Sequence, residues 1–295
     1  MFKRDILLHL ERWKVDAHRK PLILRGARQV GKTTVVNEFG KQFENYLYLN
    51  LEKREAASLF ELNVPLKDLM PLFFAHCGKV KKEGQILLFI DEIQNSAKAM
   101  ALLRYFYEEL PDIYVIAAGS LLENLIDVHV SFPVGRVQYM ALRPCSFREF
   151  LGAVGEEALV TVLDQPEVTF AFHDRLMLLF NIYTLIGGMP EVVQLYAESR
   201  DILVLESTYE TLLQGYRDDV EKYAQGKRLP EVIRFILKEG WHKAGQAVTL
   251  GGFAGSSYNA REVGEAFRLL EKAMLLELVY PTTATEVPAT PEIKR

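Results

Sequence analysis

The sequence has few cysteines, no long apolar run and no strong excess of either charge. Its 295 residues include only Cys77 and Cys145, which argues against a disulfide framework and a cysteine-based zinc site, and is typical of a reducing cytosol. No run approaches the ~18 apolar residues of a membrane span. The amino-terminal stretch lacks the apolar core and cleavage site of a signal peptide. We therefore expect a cytoplasmic protein without a membrane segment.

Other absences narrow the function further. The net charge of -4 gives no global signal for nucleic acid, although a local basic patch stays open. The histidines show no HExxH frame, and Ala118-Gly119-Ser120 lacks the second glycine of a nucleophile elbow. The sequence therefore predicts neither a zinc-protease site nor a serine nucleophile of that type.

What the sequence does contain is a phosphate-binding pattern near its amino terminus. A short strand predicted at 22–25, with apolar residues at 22–24, is followed by G-x-x-x-x-G-K-T, the P-loop spacing. Glycines let the backbone approach a ligand, and the helix that follows offers its N–H groups to an anion. Chance is the alternative. The predicted phosphate-binding residues are Gly26, Ala27, Arg28, Gln29, Val30, Gly31, Lys32, Thr33 and Thr34.

A second polar pattern follows a buried strand. The predicted strand at 85–90, apolar from residue 86, is followed by Asp91 and Glu92, as expected at the edge where a parallel sheet carries functional groups. With the Thr33 hydroxyl, Asp91 is predicted to hold Mg²⁺, while Lys32 reaches the phosphates and Glu92 activates water. The alternative is a solvated strand end. Two acids about 60 residues after a P-loop favour the ATPase branch with an additional glutamate.

Two further residues are catalytic candidates with open alternatives. Ser120 follows the apolar strand predicted at 113–118 and could sense the γ-phosphate, or simply cap the next helix. Arg136 follows a glycine in a loop that we predict to lie near the same end of the sheet. It could reach a γ-phosphate in its own or a neighbouring subunit, or form an ordinary surface ion pair.

Several segments in one order resemble a known family. They are 22–34, Ile-Asp-Glu-Ile-Gln at 90–94, Ala-Gly-Ser-Leu-Leu at 118–122, Gly135-Arg136, and Leu-Arg-Pro-Cys-Ser-Phe-Arg-Glu-Phe-Leu at 142–151. This set resembles the prokaryotic AAA-type P-loop ATPases with a C-terminal domain of unknown function, related to archaeal and STAND-like ATPases. The resemblance implies an α/β fold with a five-stranded parallel sheet of order 5-1-4-3-2, and ATP with Mg²⁺ as cofactors. No base-reading motif for GTP is present.

The resemblance extends into a helical segment. Gly188-Met189-Pro190 is similar to a Gly-x-Pro that lies beside the adenine in STAND-like relatives, which would add Pro190 to the nucleotide site. A plain joint between two helices is the alternative. Farther along, a helix at 231–239, a helix at 259–272 and an apolar strand at 275–280 resemble a winged helix. Its basic residues are offset by acids, so DNA binding competes with a packing or protein-contact role.

Four parts are therefore expected. They are a P-loop ATPase core at 1–152, a helical lid at 153–225, a winged-helix-like unit at 226–282 and a disordered tail at 283–295. Relatives usually continue into a further segment, so whether the chain is a truncated form of a longer family member stays open. The predicted function is a slow Mg²⁺-dependent ATPase acting as a conformational switch. The alternative is a docking module, gated by ATP or ADP, that binds DNA or a protein through 230–280. The family also favours oligomers.

Overall fold

A computed structural model describes the chain over residues 2–119, 135–165, 170–223 and 228–280. The backbone divides into two compact units, Met1–Gly215 and Tyr216–Arg295. The finer domain boundaries expected at 152, 225 and 282 stay predictions. Within the described ranges, no helix is long and apolar enough to cross a membrane.

A five-stranded parallel sheet lies at the centre of the first unit. Its order is β2-β3-β4-β1-β5, which confirms the order implied by the family resemblance. The apolar runs of β1, β3 and β4 are buried because helices cover both faces of the sheet. The strands are β1 (Leu22–Arg25), β2 (Asn45–Asn50), β3 (Ile86–Asp91), β4 (Ile113–Gly119) and β5 (Gln138–Ala141).

The parallel direction gives the sheet two chemically different edges. We call the edge where the strands end the carboxyl edge, and the edge where they begin the amino edge. The P-loop follows β1 and the Asp91-Glu92 pair ends β3, so both lie at the carboxyl edge. Residues that precede a strand lie at the amino edge.

Among the described residues, five helices lie before or between β1 and β4 in the chain. Helix α1 buries Ile6, Leu10 and Trp13, whose spacing of four and three places them on one helical face. The side chains of Phe60, Phe73 and Phe106 are almost fully buried over β2, β3 and β4. Each such side chain contributes about 1.5–3 kcal/mol by leaving water. The helices are α1 (Ile6–Val15), α2 (Lys32–Gly40), α3 (Arg54–Glu61), α4 (Leu66–His76) and α5 (Ala97–Glu109).

A second group of helices follows β5. The first of them begins with a capping box, in which Ser146 and Glu149 satisfy each other's backbone N–H groups. The helix expected at 201–215 is displaced: a short 3-10 turn covers Leu203–Leu205, and the α-helix continues to Tyr223. The helices are α6 (Phe147–Ala153), α7 (Glu157–Leu163), α8 (His173–Ile186), α9 (Pro190–Ser199) and α10 (Glu206–Tyr223).

The described part of the second unit includes the end of α10 and the amphipathic helices α11 (Arg228–Glu239) and α12 (Ala260–Lys272). Helix α12 begins with a capping box of Asn259 and Glu262 and buries Val263 and Phe267. The strand expected at 275–280 is not formed. The described part of this unit offers no strand with which it could pair, and its Val279 side chain is exposed. This region is therefore helical, its expected wing strand is not formed, and a winged helix is not shown.

Candidate functional site

The loop after β1 needs glycine at two positions. A Cβ on Gly26 would lie 2.4 Å from the backbone oxygen of Leu142, which follows β5. Gly31 has a φ of +89° as the N-cap of α2, a backbone conformation that side chains disfavour. Gln29 also has a positive φ, of 63°. These turns bring the chain directly into α2, whose first N–H groups have no partner within the helix.

The side chain of Lys32, the first residue of α2, folds back into this loop. Its side chain is buried, and its ammonium nitrogen Nζ donates hydrogen bonds to the backbone oxygens of Gly26 and Ala27, each at 2.9 Å. The neighbouring Arg28 and Thr34 are exposed. The loop therefore places one buried positive charge beside the N-terminus of α2, where an anion is favoured.

Thr33, in the first turn of α2, contacts Asp91 at the end of β3. The Thr33 hydroxyl donates to Asp91 Oδ2 at 2.7 Å, and Asp91 is only 3% exposed. A hydroxyl and a carboxylate oxygen are the ligand types that Mg²⁺ takes in P-loop proteins. The residues predicted as metal ligands therefore lie together, and their chemistry fits the predicted ion.

Sequence reasoning missed Tyr48 of β2. Its hydroxyl donates to the same Asp91 Oδ2 at 3.2 Å. Burial first, and then the charge of Asp91, raise the pKa of Tyr48 to about 12, so it stays a neutral donor. In the sequence, Tyr48 belongs to a stretch at 46–49 in which tyrosine and leucine alternate, and nothing there marks it as a site residue. Its proximity to Asp91 follows from the pairing of β2 with β3.

Glu92 occupies a constrained position at the end of β3. Its backbone is left-handed, with a φ of 53°, which is uncommon for a residue with a side chain and is often found at functional sites. Burial raises the pKa of Glu92 above its ordinary value, whereas the hydrogen bond from Gln94 lowers it. Gln94 donates through Nε2 to Glu92 Oε2, and its own Oε1 is buried without a partner.

The turn before α9 approaches the P-loop. The Cγ of Pro190 lies 3.9 Å from the point where a Cβ on Gly31 would be. Gly188 is held against the segment after β5, because the Cys145 N–H donates to its oxygen at 2.6 Å. Pro190 is therefore near the loop, and its role beside the adenine stays a prediction.

Arg4 is a second residue that the sequence did not reveal. It precedes α1, yet its buried guanidinium reaches the P-loop: Nη1 donates to the oxygen of Val30 at 3.1 Å. Its Nε donates to Glu149 Oε1 at 3.0 Å, and its Nη2 to the oxygen of Arg143 at 2.7 Å. In the sequence it is one of several charges near the amino terminus, so no local pattern signals this contact.

One predicted catalytic residue, Arg136, lies away from the site, and another, Ser120, falls outside the described residues. Arg136 lies two residues before β5, and the register that pairs Leu22 with Gln138 places it at the amino edge. There its Nε contacts Glu108 Oε1 at 2.8 Å. The expectation that its loop lies near the P-loop end of the sheet is wrong, because a residue preceding a parallel strand lies at the opposite edge.

Comparison with known proteins supports the fold. Residues 18–151 match a family model described as an AAA domain, and residues 177–295 match a domain of unknown function, DUF8612. No curated protein matches the sequence.

Among solved structures, the Walker-type ATPase PABY2304 of Pyrococcus abyssi is similar, with 17% identity, a TM-score of 0.54, and coverage of 92% of this chain and 90% of that one. The Drosophila ORC bound to DNA has 16% identity, a TM-score of 0.42, and coverage of 94% and 81%. The first similarity supports the fold, and the second is too low to carry an argument.

Proposed function

The chain belongs to the AAA-type P-loop ATPases that carry a C-terminal domain of unknown function, and from that premise we propose that it binds ATP with Mg²⁺ and hydrolyses it slowly as a conformational switch. One observation carries the proposal. The Thr33 hydroxyl contacts Asp91 at 2.7 Å, directly beside the loop that surrounds the Lys32 ammonium.

Each residue has a defined task in this proposal. Lys32 exchanges the two loop carbonyls for oxygens of the β- and γ-phosphates, and the N-terminus of α2 donates N–H groups to the same anion. Thr33 and Asp91 would hold Mg²⁺, which when bound offsets the negative charge of the phosphates. Tyr48 keeps one Asp91 oxygen in place through its hydrogen bond.

Glu92 is the proposed base for the attacking water. The water oxygen bonds to the γ-phosphorus, the bond from that phosphorus to the bridging oxygen breaks, and the water's proton passes to the Glu92 carboxylate. ADP and phosphate are the products. The raised pKa of Glu92 makes it a better proton acceptor, and Gln94 orients one of its oxygens.

Single-turnover hydrolysis with Mg²⁺ tests the proposal. We expect wild type and Glu92→Gln to bind ATP equally, and only wild type to release phosphate. Binding by both without hydrolysis in either would contradict the catalytic part and leave a nucleotide-held switch. Unchanged ATP affinity in Lys32→Ala would contradict the site itself.

A docking function through 230–280 is the second candidate. It is supported by the exposed face of α12, which carries Arg261, Glu265 and Arg268. Because the face has both signs of charge, a protein partner fits it better than the phosphate backbone of DNA. DNA binding whose affinity falls steeply with salt would favour the DNA version, and its absence at low salt would exclude it. A nucleotide-dependent change in partner affinity would support the gating role.

A further inference from the structure

The ion pair between Arg4 and Glu149 is buried beside the P-loop. The side chains are 4% and 7% exposed. Burying two charges has a desolvation cost that their attraction offsets only with good geometry, so such a pair is weak evidence for a role in stability alone. Its position beside the P-loop indicates a different role.

The contact of Arg4 with Val30 controls one peptide of the P-loop. The Val30 oxygen and the Gly31 N–H belong to the same planar peptide and point in opposite directions. By donating to that oxygen at 3.1 Å, Arg4 fixes the direction in which the Gly31 N–H points. Arg4 Nη1 also lies 3.7 Å from the Cβ position of Gly31, so its positive charge is near the start of α2.

Arg4 is itself held in place by Glu149. Glu149 Oε1 accepts hydrogen bonds from Arg4 Nε at 3.0 Å and from the Asp5 N–H at 2.7 Å. Its Oε2 accepts from the Ser146 N–H at 2.9 Å, within the capping box of α6. The carboxylate is thus fixed by the start of a helix, and the guanidinium is fixed by the carboxylate.

We propose that Arg4, held by Glu149, is a positioning residue for the phosphate-binding loop and sets the affinity of that loop for nucleotide. The inference rests on the proposed function and deepens it. Arg4 acts through the Val30–Gly31 peptide. The planar guanidinium of Arg4 donates hydrogen bonds to Glu149, Val30 and Arg143 at once, and a lysine ammonium does not reproduce this geometry.

Arg4→Lys is the first test, with Arg148→Lys as its matched control. Arg148 is also an arginine at this corner, and it donates to Asp5 at 2.7 Å and to Asp164 at 2.8 Å without touching the P-loop. The control therefore loosens the same amino-terminal segment and leaves Val30 alone. We expect ATP and ADP to bind about tenfold more weakly to Arg4→Lys, which is about 1.4 kcal/mol, and normally to Arg148→Lys.

A double variant separates positioning from stability. Arg4→Met alone leaves the Glu149 carboxylate buried without its partner and lowers the melting temperature. Adding Glu149→Gln removes that charge and keeps one oxygen that can accept from the Asp5 or the Ser146 N–H, so we expect the melting temperature without nucleotide to recover in part. Nucleotide affinity should stay low, because nothing then holds the Val30 oxygen.

The outcomes are distinct. Equal nucleotide affinity in wild type and Arg4→Lys would overturn the inference while the proposed function stands. An equal loss in Arg148→Lys, or recovery of affinity together with melting temperature in the double variant, would reduce Arg4 to a structural role and also overturn it. If wild type binds no ATP, the proposed function fails and the inference fails with it.

Discussion

The two edges of the central sheet both carry an arginine–glutamate pair, and the pairs differ in burial. At the carboxyl edge, Arg4 and Glu149 are 4% and 7% exposed. At the amino edge, Arg136 and Glu108 are 45% and 32% exposed. Water screens the second pair, which contributes little, whereas the first has a desolvation cost. Among the residues that the structure describes, the buried charged side chains all lie at the carboxyl edge, and this asymmetry identifies the site: they are Arg4, Lys32, Asp91 and Glu149.

The largest expected contrast between the edges involves two lysines. Lys32→Ala removes the buried ammonium from the P-loop, and we expect ATP affinity to fall at least about 100-fold, or about 3 kcal/mol. Lys20→Ala is the matched control, since Lys20 Nζ donates to the oxygen of Gly135 at the amino edge, at 2.7 Å. Isothermal titration measures the ATP affinity of both variants. Equal losses of affinity would contradict the difference between the two edges.

A glycine contrast has the next largest effect. Gly26→Ala places a methyl group 2.4 Å from the oxygen of Leu142, and we expect the free energy of unfolding to fall by about 1–3 kcal/mol. The control is Gly215→Ala in α10, where the added Cβ meets no atom within 4 Å. That change should raise stability by about 0.5–1 kcal/mol. Urea denaturation measures both, and a neutral Gly26→Ala would show that this edge is loosely packed.

The pH dependence of hydrolysis sharpens the account of Glu92. As a base, Glu92 acts only when ionised, so the rate should be full at high pH and fall as pH drops through its raised pKa. The Gln94 hydrogen bond stabilises the carboxylate and lowers that pKa. Gln94→Ala should therefore move the acid limb to higher pH. A single-turnover pH profile measures this, and an unmoved limb would remove Gln94 from the site.

The smallest effect is expected at Arg136. Arg136→Ala breaks an exposed contact with Glu108 at the amino edge, so the melting temperature and ATP affinity should hardly change. Arg104→Ala, which removes another exposed partner of Glu108, is the control. A loss of hydrolysis in Arg136→Ala, relative to wild type, that grows with protein concentration would contradict this. It would indicate that Arg136 acts at the nucleotide site of a second copy of the chain.

The sequence was informative where chemistry is local. The P-loop spacing and the acids ending β3 depend on neighbouring residues, and the order of the sheet followed from the family resemblance. The contact of Arg4 with Glu149 spans 145 positions, and the meeting of Tyr48 with Asp91 needs the pairing of β2 with β3. No local pattern encodes such contacts.

Two errors have simple physical reasons. Arg136 was expected near the P-loop end, although the parallel direction of β5 places a preceding residue at the amino edge. The apolar run at 275–280 was expected to be a strand, but a strand needs a partner for its backbone groups. The described part of the second unit contains no such partner.

The most direct test is ATP binding by wild type, titrated with and without Mg²⁺ beside Asp91→Asn. Because Thr33 and Asp91 share a hydrogen bond beside the P-loop, we predict that Mg²⁺ tightens ATP binding in wild type. Asp91→Asn should lose most of that gain and keep its Mg²⁺-free affinity. If Mg²⁺ does not change ATP binding by wild type, or if the gain survives in Asp91→Asn, the assignment of Thr33 and Asp91 as the Mg²⁺ ligands at the carboxyl edge is contradicted.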